Sequence, residues 1–405
     1  MSLHSGNGAA RHRVLVVGGG TAGIATAARL RRAGVTDIAV IEPSDEHWYQ
    51  PLWTLVGGGQ ASLDETRRAE EKLIPKGVRW IRAAATAVDP DAQTVTTDRG
   101  TVVGYDYLVL ATGLHLDWDG VPGLADAVGH GAVSSNYSPR YAPYTWELIR
   151  NMRSGTAIFT QPAGPIKCAG APQKIAYIAS DYWRRQGLLD GIRVILVLPG
   201  DSMFGIPSWR RTLEGVAARY GIEVRLSSEM TALDGASRKA TIVNNATGDE
   251  EIVGFDMLHA VPPQRAPGWV AASPLANPAS PFGYVEVDKH TLQHRRYPNV
   301  FALGDVADLP TSKTGAAVRK QAPVLVANLV AEMRGVDKRK SYDGYSSCPF
   351  VTARDKMMLA EFDYELEPSP SIPVIDTTKD RRDMWLLKRY GLPAMYWHGM
   401  VKGRV

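Results

Sequence analysis

Val14-Leu15-Val16-Val17-Gly18-Gly19-Gly20-Thr21-Ala22-Gly23 is the stretch whose reading decides the fold. Its four apolar residues predict a short buried strand, and its glycines a tight loop. The alanine-rich run that follows predicts a helix to about Ala33, closed by Gly34. Ile38-Ala39-Val40-Ile41 predicts a second buried strand, and Glu42 ends it. A strand, a glycine loop, a helix, a strand and an acid in this order predict a dinucleotide-binding unit. Gly18, Gly20 and Gly23, with Thr21 and Ala22 between them, let the backbone approach a pyrophosphate. The helix start offers that pyrophosphate its unpaired N–H groups, and Glu42 can hold a ribose hydroxyl.

Working outward, Tyr105-Asp106-Tyr107-Leu108-Val109-Leu110-Ala111-Thr112-Gly113 predicts a buried strand ending in a tight turn at Ala111, Thr112 and Gly113. Val300-Phe301-Ala302-Leu303-Gly304-Asp305 predicts another, ending in Gly304 and Asp305. Lys313-Thr314-Gly315-Ala316-Ala317 opens a long helix that runs to about Met333. Together with the first loop, these segments resemble the FAD-binding segments of the two-dinucleotide-domain disulfide reductases. The resemblance implies that Asp305 binds the ribityl chain. It also aims the start of the long helix at the pyrimidine end of the flavin, where negative charge collects on reduction.

A second strand–loop–helix–strand unit lies between these segments. Thr156-Ala157-Ile158-Phe159 is its first strand, a helix runs from about Pro172 to Arg185, and Val194-Ile195-Leu196-Val197-Leu198 is its next strand. Its loop reads Gln161-Pro162-Ala163-Gly164-Pro165-Ile166-Lys167-Cys168-Ala169-Gly170, and its second strand runs into Pro199 rather than an acid. The glycine spacing of a nicotinamide site is absent, so the fold is kept while the nucleotide site is lost. Cys168 falls just before the helix, with Lys167 and Lys174 nearby. A helix start and two ammonium groups lower a thiol pKa and favour the nucleophilic thiolate. The alternative is a small apolar residue filling the loop. The only other cysteine of the chain is Cys348, in Ser347-Cys348-Pro349-Phe350.

A chain of 405 residues can bury two or three sizeable cores. Its net charge of +4 gives no reason to expect nucleic acid and suits an anionic surface. Two cysteines do not make a disulfide scaffold. No run of eighteen apolar residues is present, so no helical span is expected. Met1 to His12 lacks the apolar core of a secretory signal and is short for a transit peptide. Residues 206 to 290 read as short strands and turns. The tail from Arg381 to Val405 carries six Lys or Arg against one acid, Asp383, together with Trp385, Tyr390, Tyr396 and Trp397. It is too short and too charged to span, and predicts an interfacial foot on one leaflet. A packed helix pair or a dimer contact is the other reading. The expected division is 1–118 with 290–335 as the FAD-binding domain, 119–289 as the second Rossmann-like domain, and 336–405 as a quinone and membrane-association region. The fold class is α/β, with two Rossmann-like domains in three-layer ββα form.

His47-Trp48-Tyr49-Gln50-Pro51-Leu52-Trp53-Thr54-Leu55-Val56-Gly57-Gly58-Gly59, Lys167 to Ile175, Lys313 to Gln321 and Cys348 to Tyr364 carry a more specific resemblance. With them nearly the whole chain resembles the sulfide:quinone oxidoreductases, and in particular their mitochondrial-type branch. The resemblance implies a redox bridge between Cys168 and Cys348, with Lys174 as a third catalytic residue. It implies FAD held by the first loop together with Gln50, Lys313, Thr314 and Gly315. Hydrogen sulfide is the expected reductant and a membrane quinone the expected acceptor, with Phe350 and Phe362 assigned to the quinone path. The sulfane sulfur would pass to sulfite or a low-molecular-weight thiol. No third cysteine precedes Cys168, so the FAD is expected to be non-covalent; no metal is expected. A peripheral place on a bacterial cytoplasmic or mitochondrial inner membrane follows, with a homodimer among the open states. An NADH:quinone oxidoreductase, a flavocytochrome-type sulfide dehydrogenase and a non-catalytic flavin-binding scaffold are the rival readings.

Overall fold

The computed structural model describes residues 10–405; the polar stretch Met1 to Ala9, read above for a signal, lies outside the described residues. Arg11–Val17 runs parallel to Ile38–Ile41 on one side, with Val14 opposite Ile38. On the other side it runs parallel to Val102–Leu110, with Val14 opposite Tyr107. Val78–Ile81 extends the sheet beyond Ile38–Ile41, and Val300–Ala302 joins it at Val102–Leu110. All four residues of Ile38–Ile41 are buried, as expected of a parallel strand covered on both faces. The helices Thr21–Arg32 and Gly315–Met333 pack against each other on this sheet.

The second sheet is wholly parallel, in the order Val133–Ser134, Met257–His259, Gly155–Thr160, Ile192–Val197 and Glu223–Arg225. The helix Ala171–Arg185 covers one face, and buries Ile175, Ala176, Tyr177, Ala179 and Trp183 in a core shared with Phe159 and Leu196. Two features depart from the sequence reading. Pro207–Arg219 is a helix, not strands and turns, with Pro207 at its first turn. Its buried residues Trp209, Leu213, Val216 and Ala217 recur with helical period, a signal masked by the polar residues between them. Second, Gln264–Arg265 pairs with His115–Leu116, and Ala266, Val270, Leu275 and Tyr284 share a core with Leu15, Leu108 and Leu110. The chain thus returns to the first unit ahead of position 290. Irregular backbone carries no periodicity from which that return could be read.

The C-terminal region joins the two units. Ser346–Ala353 and Lys356–Phe362 form an antiparallel hairpin, with Cys348 opposite Ala360 and Phe350 opposite Met358. Cys348, Phe350, Met358, Ala360 and Phe362 enter the core of the second unit. Val351, Met357 and Leu359 enter the core of the first. The two-residue period of a strand thus feeds two cores from one ribbon. The tail folds as Arg382–Leu386, a π-turn at Leu387–Gly391, Leu392–His398 and Met400–Lys402. Met384, Tyr396, Trp397, Met400 and Val401 are buried in the first core, while Leu386 and Tyr390 stay exposed. The tail is therefore one part strut and one part open surface. No helix among the described residues is long and apolar enough to cross a membrane.

Candidate active site

The first strand runs into Gly18, whose φ of +105° turns the chain across the end of the neighbouring strand. A β-carbon there would lie 2.4 Å from the Ala111 carbonyl oxygen, and one on Gly23 would lie 1.8 Å from the Gly18 carbonyl oxygen. Neither position tolerates a side chain. Gly20 is different: no atom lies within 4 Å of where its β-carbon would be. The helix Thr21–Arg32, which carries Thr21, Ala22 and Gly23 in its first turn, therefore starts on open space. Gly20 provides no side-chain cap for its N–H groups. Glu42 accepts hydrogen bonds from the N–H groups of Gly19 at 2.7 Å and Ser44 at 2.8 Å, and burial pushes its carboxyl pKa up.

Two further strand ends converge on the same space. Gly113 has a φ of +68° and no atom within 4 Å of its β-carbon position, and beside it the buried Thr112 hydroxyl has no partner among the described residues. Gly304, with a φ of +71°, donates its N–H to the Gln321 amide oxygen at 2.9 Å. The Lys313 ammonium donates to the carbonyls of Asp305 at 2.7 Å and Ala307 at 2.9 Å, and so braces this turn. Burial pushes the Asp305 carboxyl pKa up, against the pull of Lys313 and Lys167. Burial likewise pushes Lys313 down to about 8. The Thr314 hydroxyl accepts from the Ala317 N–H at 3.0 Å, capping the helix that begins at Gly315.

Cys168 sits at the equivalent point of the second unit, with a φ of +52°. For a residue with a side chain that conformation costs about 1–2 kcal/mol, so the surroundings must impose it. The Cys168 N–H donates to the Lys313 carbonyl at 2.9 Å, and the Ala171 N–H donates to the Cys168 carbonyl at 2.7 Å. The Tyr137 hydroxyl donates to the Lys167 carbonyl at 3.1 Å. The Lys174 ammonium donates to the Cys168 Sγ at 2.9 Å. Cys348 brings its buried thiol against the same sulfur. The hydrogen bond from Cys348, with the charge of Lys174, pulls the Cys168 thiol well below its usual pKa, while that same bond and burial push Cys348 well above.

Two lysines sit differently from expectation. Lys167 turns away from the sulfur and donates to the Gln50 Oε1 at 2.7 Å, leaving Lys174 as the near cation. The other cation comes from the tail. Lys388 is 2 % exposed, donates to the Pro51 carbonyl at 2.7 Å, and its charge also favours the Cys168 thiolate. Burial and Lys174 push its own pKa down to about 7. Sequence reasoning missed Lys388 and Tyr137. The one signal for Lys388 is that it follows the buried Met384 by four residues, on one helical face.

At the helix start of the second unit an aromatic ring takes the space beside the glycine. A β-carbon on Gly170, at the helix start, would lie 2.3 Å from the Phe350 ring. Phe350 is fully buried and packs edge-on against Phe204 at 5.2 Å. Phe362 lines a cleft of about 270 Å³ with Gln161, Gln173, Pro199, Phe204 and Ser312. That cleft lies beyond the carboxyl ends of Gly155–Thr160 and Ile192–Val197.

Residues 12–327 match the family described as pyridine nucleotide-disulphide oxidoreductase. The mitochondrial sulfide:quinone oxidoreductase of Dictyostelium discoideum is 42% identical over 97% of this chain and 86% of its own length. The chain belongs to the sulfide:quinone oxidoreductases. The mouse mitochondrial member, from Mus musculus, is 37% identical over 100% of this chain and 90% of its own. The crystal structure of the member from Aquifex aeolicus superposes with a TM-score of 0.80 over 98% of this chain and 92% of that one. At 24% identity it speaks for the fold. The first unit has the chemistry that FAD needs. Gly20 and Gly113 leave open space, the Thr112 hydroxyl lacks a partner, and the Asp305 carboxylate takes no hydrogen bond from the described residues.

Proposed function

We propose that this chain oxidises sulfide at a bridge between Cys168 and Cys348 and sends the two electrons to a membrane quinone. The observation that carries this reading is the Lys174 ammonium at 2.9 Å from Cys168 Sγ, with the Cys348 thiol alongside. Hydrosulfide attacks the bridge, one S–S bond forms and one breaks, and one cysteine leaves as a thiolate. The better leaving group is the thiol of lower pKa. That is Cys168, so the persulfide forms on Cys348. Lys174 and Lys388 hold the departing thiolate. Transfer of the outer sulfur to an acceptor frees Cys348, whose sulfur closes the bridge again as two electrons depart. Bound FAD supplies the two-electron relay between the sulfur pair and the quinone.

The FAD is held without a covalent bond by Gly18 to Gly23, Glu42, Gln50, Ala111 to Gly113, Gly304, Asp305 and Lys313 to Gly315. Neither cysteine is free to attach it, so acid denaturation should release all of it to the supernatant. The sulfur acceptor is small, sulfite or a low-molecular-weight thiol, and enters by the cleft beside Gln173. The side chains named there are neutral. Phe350 and Phe362, expected on the quinone path, are assigned instead to the apolar wall between the sulfur pair and that cleft, since Phe362 lines the cleft and both rings pack on Phe204. The quinone and the lipid surface lie on the side of the tail that leaves Leu386 and Tyr390 open. The enzyme thus works as a peripheral protein at a membrane.

Anaerobic titration with sulfide, read on the flavin spectrum, tests the reading. Stoichiometric bleaching, followed by recovery on adding quinone, is the expected result. A flavin that sulfide leaves oxidised overturns it.

A further inference from the structure

The tail reaches the dinucleotide loop of the first unit through one hydroxyl. Tyr396, on Leu392–His398, is 3 % exposed, and its hydroxyl lies 2.8 Å from the Thr21 Oγ1. Thr21 is the first residue of the helix whose start lines the open space at Gly20. The same hydroxyl hydrogen-bonds to the His47 Nε2. The His47 Nδ1 lies 3.1 Å from the Gly19 carbonyl oxygen and 3.0 Å from the Glu70 Oε2. The Gly19 carbonyl can only accept, so Nδ1 carries the proton. His47 and Glu70 side chains are each 1 % exposed. A chain of hydrogen bonds thus runs from Glu70 through His47 and Tyr396 to Thr21, and touches the loop at Gly19 and at Thr21.

Packing reinforces the chain. The Tyr396 ring lies 4.5 Å from that of Tyr49, and the Arg68 guanidinium sits over Trp397 at 4.8 Å. Buried polar chains of this kind are rigid when complete and costly when one member is removed.

We propose that Tyr396 is a positioning residue for the FAD pyrophosphate loop, so that docking of the C-terminal segment and retention of FAD are thermodynamically linked. This rests on reading Gly18 to Gly23 as the FAD loop. With Tyr396 seated, Thr21 and Gly19 are held where the helix start meets the diphosphate. With the segment undocked, His47 loses a partner and the loop loses its fixed point at Thr21. Linkage is reciprocal: whatever factor the docked tail adds to FAD affinity, bound FAD adds to tail docking.

The test uses the full-length holoprotein. Tyr396→Phe keeps the ring and removes the hydroxyl; Thr21→Val removes the other end of the bond. FAD release is followed by the rise of flavin fluorescence after dilution. Each single variant should release FAD about tenfold faster, the effect of one or two buried hydrogen bonds. The double variant should be little worse than either alone, because both remove the same bond. Hydrogen exchange of residues 392–402 in the unmodified protein should rise by a similar factor when FAD is removed, and that rise should shrink in Tyr396→Phe. The exchange comparison in the unmodified protein stands even where a variant fails to fold. Unchanged FAD release in Tyr396→Phe, or tail exchange indifferent to FAD, overturns the proposal. A full-length protein that binds no FAD at all would instead overturn the reading of the loop.

Discussion

The two strand–loop–helix units of this chain share a plan and differ at one kind of position. In the first, Gly20 stands at the helix start with nothing within 4 Å of its β-carbon position. In the second, Gly170 stands at the helix start with the Phe350 ring 2.3 Å from that position. In the first, the tight point of the loop is Gly18, a residue that accepts a φ of +105° without strain. In the second, Cys168 holds a φ of +52°, which only its hydrogen bonds to the surrounding backbone impose. One loop keeps room for a phosphate; the other has filled it with an aromatic ring and aimed a sulfur at a lysine. In the second loop an aromatic ring occupies the helix start, the glycine pattern is missing, and the Lys174 ammonium reaches the Cys168 sulfur.

The largest effect that would break this comparison lies at the sulfur pair. Cys168→Ser and Cys348→Ser should each lower sulfide-dependent quinone reduction by at least about a hundredfold while retaining FAD, since residues that act as one unit fail as one. Turnover near that of the unmodified protein in either variant would dissolve the contrast between the loops.

NADH comes next. With Phe350 against Gly170 and no acid after Leu198, NADH should bleach the flavin at under about one-hundredth of the sulfide rate, a barrier higher by at least about 2.7 kcal/mol. Stopped-flow traces with the two reductants decide it, and comparable rates would mean that the second seat is open.

A smaller effect sharpens the electrostatic half of the comparison. In the reduced protein Cys168 should react with iodoacetamide through the neutral range while Cys348 stays inert. Lys174→Gln should move the midpoint of the alkylation pH profile upward, and slow the reaction at pH 7 about tenfold for each unit by which the raised thiol pKa exceeds 7. Equal reactivity of the two cysteines would remove the assignment of Cys168 as the leaving thiolate.

The smallest concerns Lys388. Its folded-state pKa of about 7 lies below the ordinary lysine value, so it is charged below that pH and neutral above it. As pH rises through about 7, the Cys168 thiolate loses one cation, and the alkylation profile should show an inflection there that Lys388→Met lacks. The linkage to stability has the opposite sense. The unfolded chain holds the Lys388 proton up to about pH 10 while the folded one has released it, so stability rises with pH across that window. Thermal melts from pH 7 to 9 should climb less in Lys388→Met than in the unmodified protein.

Several of these residues were legible in the chain alone. The glycine loop with Glu42, the strand ends at Thr112-Gly113 and Gly304-Asp305, and the broken loop around Cys168 all follow from local spacing. The structure brings Cys168, Lys174 and Cys348 to one point. Local spacing could not show that Lys167 serves Gln50 instead of the sulfur, or that Phe350 plugs a seat 180 residues away in sequence. It also gave the tail a simpler part than the one it plays. Composition points to an interfacial foot, yet Tyr396, Trp397, Met400 and Val401 are core residues, and truncating a buried Trp such as Trp397 costs about 3–5 kcal/mol.

A short window of sequence encodes the periods of strand and helix, the turns only glycine tolerates, and the absence of a second nucleotide fingerprint. Those depend on backbone sterics and on contacts between near neighbours. Only the tertiary structure decided which distant groups share a microenvironment. The hairpin Ser346–Ala353 delivers Cys348 and Phe350 to the second unit, and the tail delivers Lys388 to the sulfur and Tyr396 to the dinucleotide loop. Charges and hydrogen bonds act over a few ångströms of space whatever their separation along the chain, and desolvation depends on everything packed around a group. That is why the cysteine pair and Lys174 could be named from the sequence, while the second cation, Lys388, had to wait for the fold.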